Sequence, residues 1–123
     1  MIEHRRQQHV RPPLVAGQLW DLARVDLEPA RAALARLHER GRPVGPCLLA
    51  RAARATWWLL PLGTGYRLLG TGGVTLLPVG HELHVPPPTR YVRDRVWLVP
   101  ARNGSFTHPE DLREALEAVA SCR

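Results

Sequence analysis

The sequence predicts an α+β fold, in which a mainly antiparallel sheet of about five strands carries two helices packed on one face. Two observations lead to this prediction. Between Pro46 and Val99, short apolar runs alternate with turn residues, which is typical of antiparallel strands. Before and after this region, apolar residues recur at helical spacing. The chain has 123 residues, 45% of them hydrophobic and 23% charged, which is enough for one modest core.

The first residues predict a flexible basic arm over 1–13, followed by a single α+β domain over 14–123. The arm contains Arg5, Arg6 and Arg11, has little apolar content and ends in Pro12 and Pro13. A short apolar segment, 19–25, comes next. Its pattern fits either a strand or an irregular entry into the first helix.

The first helix is predicted to begin at Asp26 and to end at Gly41. Asp26 is a residue type that caps helices, and Pro29 is tolerated in a first turn. Four apolar residues recur at helical spacing between them: Leu27, Ala30, Leu34 and Leu37. Gly41 and then Pro43 stop the helix.

The central region contains five predicted strands, at 48–50, 56–60, 74–77, 83–85 and 96–99. The prolines at 86–88 cannot donate ladder hydrogen bonds, so they end the fourth strand and are predicted to form an exposed polyproline segment. The chain closes with a second helix. Thr107 and Glu110 have capping-box spacing, and four apolar residues then share one helical face: Leu112, Ala115, Leu116 and Val119.

The formal charge of +6 comes from 17 arginines, and the chain has no lysine. Alanine, glycine and proline are also abundant, so the choice of arginine is explained by GC-rich codons and says little about phosphate binding. The distribution of charge is more informative. Residues 106–123 carry two arginines and four acids, which leaves +8 on residues 1–105. Any anionic partner is therefore expected to meet the first part of the chain.

Several classes of protein are disfavoured by what the chain lacks. No apolar run is long enough to span a bilayer, and no apolar stretch follows the basic start, so the expected location is the cytoplasm. Two cysteines, Cys47 and Cys122, are too few for a disulfide scaffold or a four-cysteine zinc site and are expected to be free thiols. We expect no cofactor and no membrane partner.

No catalytic or metal-binding motif stands out. The glycines at 63–73 are predicted to form plain turns, because no lysine completes a phosphate-binding loop. His81 and His84 are three residues apart in a predicted strand, where their side chains would face opposite sides, and are expected to lie on the surface. We assign no catalytic residue and no metal ligand. Whether the protein is an enzyme is left open, but the sequence favours a protein without enzymatic activity.

Trp57 and Trp58 point to opposite faces of their predicted strand, so one of them is a candidate for exposure on the face without helices. Arginines and aromatic groups together bind single strands by stacking and by phosphate contacts. The candidate nucleic-acid-binding residues are Arg51, Arg54, Trp57, Arg90, Arg93 and Arg95. The alternative is that both tryptophans are buried and that the arginines are solvated hairpin tips.

The order of short motifs resembles that of short bifunctional DNA primase/polymerase N-terminal domain proteins of high-GC bacteria. The motifs are DLARVD from Asp21, GPCLL from Gly45, WLLPLGT from Trp58, HVPPP from His84 and VWLVP from Val96. The resemblance covers roughly residues 17–119. Polymerase members of that family use two acids spaced two residues apart and a later histidine. Here Asp21 and Asp26 are five apart and the strand at 56–60 has no histidine. The resemblance therefore implies a catalytically inactive relative.

Two functions are consistent with these observations. The first is a small non-catalytic primase/polymerase-like module that binds nucleic acid through a basic, arginine-rich sheet face. The second is a protein-interaction or regulatory adaptor without a nucleic-acid role, for which a homodimer is one option. An enzyme would require Asp21, Asp26 and Glu82 to meet in space. We expect instead that Asp26 caps its helix and that Asp21 is solvated or paired with an arginine.

Overall fold

The computed structural model describes residues 13–86, 94–100 and 105–121. The strands are β1 (Leu14–Val15), β2 (Trp20–Asp26), β3 (Cys47–Ala50), β4 (Ala55–Pro61), β5 (Val74–Leu76), β6 (Glu82–Leu83) and β7 (Arg95–Val99). The helices are α1 (Leu27–Glu39) and α2 (Pro109–Ser121), with a short 3-10 helix at Gly65–Leu68. The predicted arm over 1–13 lies outside the described residues except for Pro13. None of the helices in the described part of the chain is long and apolar enough to cross a membrane.

Five strands form the main sheet in the order β5-β2-β4-β3-β7, and every neighbouring pair is antiparallel. The predicted fold class is thus confirmed. The strands that form the main sheet differ from the predicted ones at two points. The ambiguous segment at 19–25 supplies strand β2, next to the centre. The predicted strand at 83–85 shrinks to β6, which pairs with β1 in a separate two-stranded sheet.

The central strand β4 is buried on both faces. Residues alternate along it, so Trp58 and Leu60 lie on one side while Trp57 and Leu59 lie on the other. This explains why β4 is an almost continuous run of apolar residues, since other parts of the chain cover both of its faces.

The first face carries both helices. Ala30, Ala33 and Leu37 of α1 and Leu112, Ala115 and Leu116 of α2 pack over Trp58 and its neighbours. Two buried polar side chains here are hydrogen-bonded. The indole Nε1 of Trp58 donates to Thr56 Oγ1 at 2.9 Å, and the Thr56 hydroxyl donates to the Val25 carbonyl at 2.9 Å. At the surface, Arg36 Nη2 lies 2.7 Å from Glu114 Oε2, and this hydrogen bond holds the pKa of Glu114 below its ordinary value.

The second face is covered by the small β1-β6 sheet. Ala16 and Leu83 pack against Leu22, Trp57 and Leu59 of the main sheet, forming a second core cluster. The expectation of an open sheet face is therefore wrong. Leu14 and Leu83, which are 69 positions apart in the sequence, pair to make this cover.

Two predicted helix caps form other contacts. Asp26 stands at the N-cap of α1 but its side chain makes no cap hydrogen bond; Arg24 Nη1 donates to its Oδ1 at 2.9 Å. The hydroxyl of Thr107 accepts from the backbone N–H of Gly45 at 2.8 Å, which joins the start of α2 to the segment before β3. The Thr107 side chain thus stabilises a tertiary contact, while that of Asp26 makes a local one along β2.

The contact at Gly45 gives a test of this packing. A Cβ atom at Gly45 would lie 2.9 Å from the Phe106 Cα, the Ser105 carbonyl oxygen and the Thr107 nitrogen. All three are backbone atoms that no rotamer change can move. We expect Gly45→Ala to lower the free energy of unfolding by about 1 to 3 kcal/mol in urea denaturation. Gly72→Ala is the matched control, because nothing lies within 4 Å of its Cβ position. Equal stability of the two variants would contradict the packing described here.

Candidate nucleic-acid interface

Three of the predicted binding arginines lie together at one end of the main sheet. Arg51 and Arg54 are the first and last residues of the turn between β3 and β4, and Arg95 begins β7 opposite Ala50. We call this region the hairpin end; it consists of the turn 51–54, the start of β7 and the start of α1. Arg90 and Arg93 lie outside the described residues.

Backbone hydrogen bonds hold the turn in place. Arg54 adopts a left-handed conformation with φ of 50°, and its N–H donates to the Arg51 carbonyl at 3.0 Å. The Arg54 carbonyl accepts from Leu27 N–H at 2.9 Å, which ties the turn to α1. On the other side, Asp94 accepts from Arg51 N–H at 3.1 Å and, through Oδ2, from Ala52 N–H at 2.9 Å. The positions of Arg51, Arg54 and Arg95 are therefore fixed relative to one another.

The charges at the hairpin end are partly compensated. Arg54 Nη2 lies 2.9 Å from Glu28 Oε2, and Arg24 is paired with Asp26 at 2.9 Å. Both pairs are solvent-exposed, so each is weak and can be exchanged for another anion at small cost. Arg95 differs, because its partners within the described residues are the uncharged His84 carbonyl and Trp57 ring.

Trp57 is buried, with only 8% of its surface exposed. The guanidinium carbon of Arg95 lies over its ring at 5.3 Å from the centroid, and Arg95 Nη1 donates to the His84 carbonyl at 2.7 Å. Trp58 is completely buried on the other face. Of the two alternatives left open by the sequence, the structure shows the one in which both tryptophans are buried, since the β1-β6 sheet and Arg95 cover Trp57. A base cannot stack directly on this ring.

The net positive charge of the chain does not come from the residues that the structure describes. The described residues contain ten arginines and ten acidic side chains, so their formal charges cancel. The other seven arginines and Glu3 belong to 1–12, 87–93, 101–104 and 122–123, and they carry the whole +6. Sequence reasoning located the excess within 1–105 but could not show which of those arginines have acidic neighbours in space.

The acids considered for catalysis do not converge. Asp21 and Asp26 are five residues apart on the single strand β2, a separation of roughly 16 Å. Asp21 was expected to be solvated or paired with an arginine, but its Oδ2 accepts from the backbone N–H of Gly65 at 2.8 Å. It thus fixes the start of the 3-10 helix. Glu82 lies in β6, in the other sheet. Within the described ranges, no three His, Cys, Asp or Glu side chains are grouped so as to hold a metal ion.

The glycines at 63–73 form turns, as predicted. Gly63, Gly70 and Gly73 have φ values of 80 to 83°, a region that favours glycine. They flank the 3-10 helix and precede β5. Their role in the fold is to reverse the chain direction.

Comparisons with protein-family models, with curated proteins and with solved structures give no match for this chain. The resemblance to primase/polymerase domains therefore stays a prediction that rests on the motifs named above.

Proposed function

We propose that this chain is a small non-catalytic, primase/polymerase-like module of the cytoplasm that binds nucleic acid through phosphate contacts at the hairpin end. The observation that carries the proposal is the convergence of Arg51, Arg54 and Arg95 on one rigid turn and the strand beside it. Asp94, which directly follows Arg93 in the sequence, is bonded to that turn.

The mode of binding differs from the one that the sequence favoured. Trp57 is covered, so arginine-phosphate contacts supply the affinity and direct stacking on tryptophan does not. Such contacts are independent of base sequence and release counterions from the nucleic acid. The arginines at 1–12 add to the attraction, since the described residues alone are formally neutral.

Salt dependence tests the proposal. We expect a labelled 24-nucleotide oligonucleotide to bind the full chain at 50 mM NaCl, as measured by fluorescence anisotropy, and to bind much more weakly at 200 mM. The triple variant Arg51→Gln, Arg54→Asn, Arg95→Gln should reduce the slope of log affinity against log salt by about 3, one for each lost phosphate contact. Asparagine is used at 54 because it tolerates the left-handed conformation there.

The control removes the same charge elsewhere. Arg40, Arg42 and Arg113 are exposed, the first two just after α1 and the third on α2, away from the hairpin end. Changing all three to glutamine should leave most of the salt slope intact. The proposal fails if the wild-type chain binds neither DNA nor RNA at 50 mM NaCl, or if the two triple variants lose equal affinity.

A specific observation also favours the adaptor function. At the opposite end of the sheet, Leu19 is 78% exposed and Val79 is 86% exposed, on turns joined by the hydrogen bonds between Ala16 and residues 80 and 81. Trp20 packs on the half-exposed Phe106 ring at 5.8 Å beside them. Exposed apolar clusters of this kind mark protein contacts. A partner retained on the chain after nuclease treatment would support this second function and not the first.

A further inference from the structure

We propose that Arg95 and Trp57 together form a two-layer stacking surface for one unpaired base, so that the chain prefers single-stranded to duplex nucleic acid. This inference rests on the proposed function and names the class of nucleic acid that the hairpin end takes. The indole is the inner layer, and the guanidinium of Arg95 is the outer layer that the base contacts.

The guanidinium is held from two sides. Its carbon lies over the Trp57 ring at 5.3 Å, within the range of a cation–π interaction. Its Nη1 is bonded to the His84 carbonyl at 2.7 Å, at an exposed position. A flexible arginine would lose conformational freedom on binding, whereas this one is already ordered. Arg95 thus presents an ordered planar cation at the surface.

The neighbouring contacts place a phosphate site beside this plane. Arg95 is paired with Ala50, and Arg51 is the next residue after Ala50 along the chain. Asp94 adds a hydrogen bond from its carbonyl to Arg51 N–H. Arg51 is therefore next to the proposed base position, where the backbone of a bound strand would pass.

The preference for single strands follows from the access that stacking requires. Arginine planes and aromatic rings stack on bases that are splayed out of a helix, while the bases of a duplex are covered by their neighbours. A duplex offers this end of the sheet only its phosphates. Stacking of one base corresponds to about a 5- to 150-fold gain in affinity.

The test separates charge from stacking with Arg95→Lys. Lysine keeps the positive charge but has no planar group. We expect this variant to bind a labelled dT12 about 5- to 150-fold more weakly than the wild type, and to bind a 12-base-pair duplex within twofold of it. Arg40→Lys, at an exposed position at the C-terminal end of α1, is the matched control and should change neither affinity by more than twofold.

An abasic strand of the same length provides the second arm. It keeps the phosphates and removes the bases, so wild type and Arg95→Lys should bind it equally. The inference is overturned if Arg95→Lys binds dT12 as tightly as the wild type, or if it weakens both ligands equally. If the wild type binds dT12, the duplex and the abasic strand all equally, phosphate binding stands and stacking fails. Binding to none of them removes the proposed function itself.

Discussion

Replacing Trp58 with alanine should lower the free energy of unfolding by about 3 to 5 kcal/mol. The side chain is completely buried between the sheet and both helices, and its indole donates the hydrogen bond that Thr56 accepts. Truncation leaves a cavity lined by residues from β2, β4, α1 and α2. Small domains are stable by about 5 to 15 kcal/mol, so this loss is a large share of the total. Urea denaturation followed by circular dichroism measures it.

Two further variants keep the measurement interpretable if Trp58→Ala does not fold. Trp58→Phe retains a ring and should lose less than the alanine variant. Trp20→Ala removes the same residue type from a partly exposed position and should cost less than either. A loss below about 1 kcal/mol for Trp58→Ala would contradict its position between sheet and helices.

The thiol of Cys47 should react with a disulfide reagent at least about a thousand times more slowly in the folded chain than in urea. Cys47 is fully buried in the helix-side core, and burial raises the pKa of its thiol above the ordinary range. The reactive thiolate is therefore not populated in the folded state at pH 8, and reaction must wait for unfolding. Since 1.4 kcal/mol is a factor of ten, a stability near 5 kcal/mol gives this protection.

The measurement uses a Cys122→Ser background, so that Cys47 is the sole thiol. The control is the triple variant Leu19→Cys, Cys47→Ser, Cys122→Ser, which has its only thiol at an exposed position. This thiol should react at the rate of the unfolded chain. Raising the pH from 7 to 9 should accelerate native Cys47 as well as the control, because native Cys47 reacts from the unfolded chain, in which its thiol has its ordinary pKa. Fast reaction of native Cys47 would mean that the helices do not cover β3.

The sequence predicted where the helices and strands lie better than it predicted which strands pair with each other. Helical spacing located α1 and α2 because each buries one face against a single layer. Alternation also located the strands, but it says only that a segment is extended. It could not show that residues 82–83 pair with 14–15 instead of joining the main sheet, since that choice depends on contacts distant in sequence. The burial of Trp57 depends on the same pairing.

The candidate site was predictable where it depends on local patterns and not where it depends on contacts between residues distant in sequence. Adjacent tryptophans do point to opposite faces, and turn arginines do meet at one end of the sheet. The neutralisation of Arg54 by Glu28 involves residues 26 positions apart, which no local pattern reveals. The position of Arg95 over Trp57 follows from the register of β3 with β7, and registers between distant strands are set by the assembled core.

The double covering of β4 also constrains the order in which the chain acquires its structure during synthesis. The cover on the helix side is completed by α2, some 50 residues after β4, and the other cover needs β6, about 20 residues after it. A ribosome adds roughly 5 to 20 residues each second, so the apolar strand Ala55–Pro61 emerges seconds before both covers are available. In that interval β2 and β3 can pair with β4 and form its backbone hydrogen bonds. Its tryptophans remain in contact with water. A nascent chain of this protein is therefore an expected client for chaperones that bind exposed apolar strands.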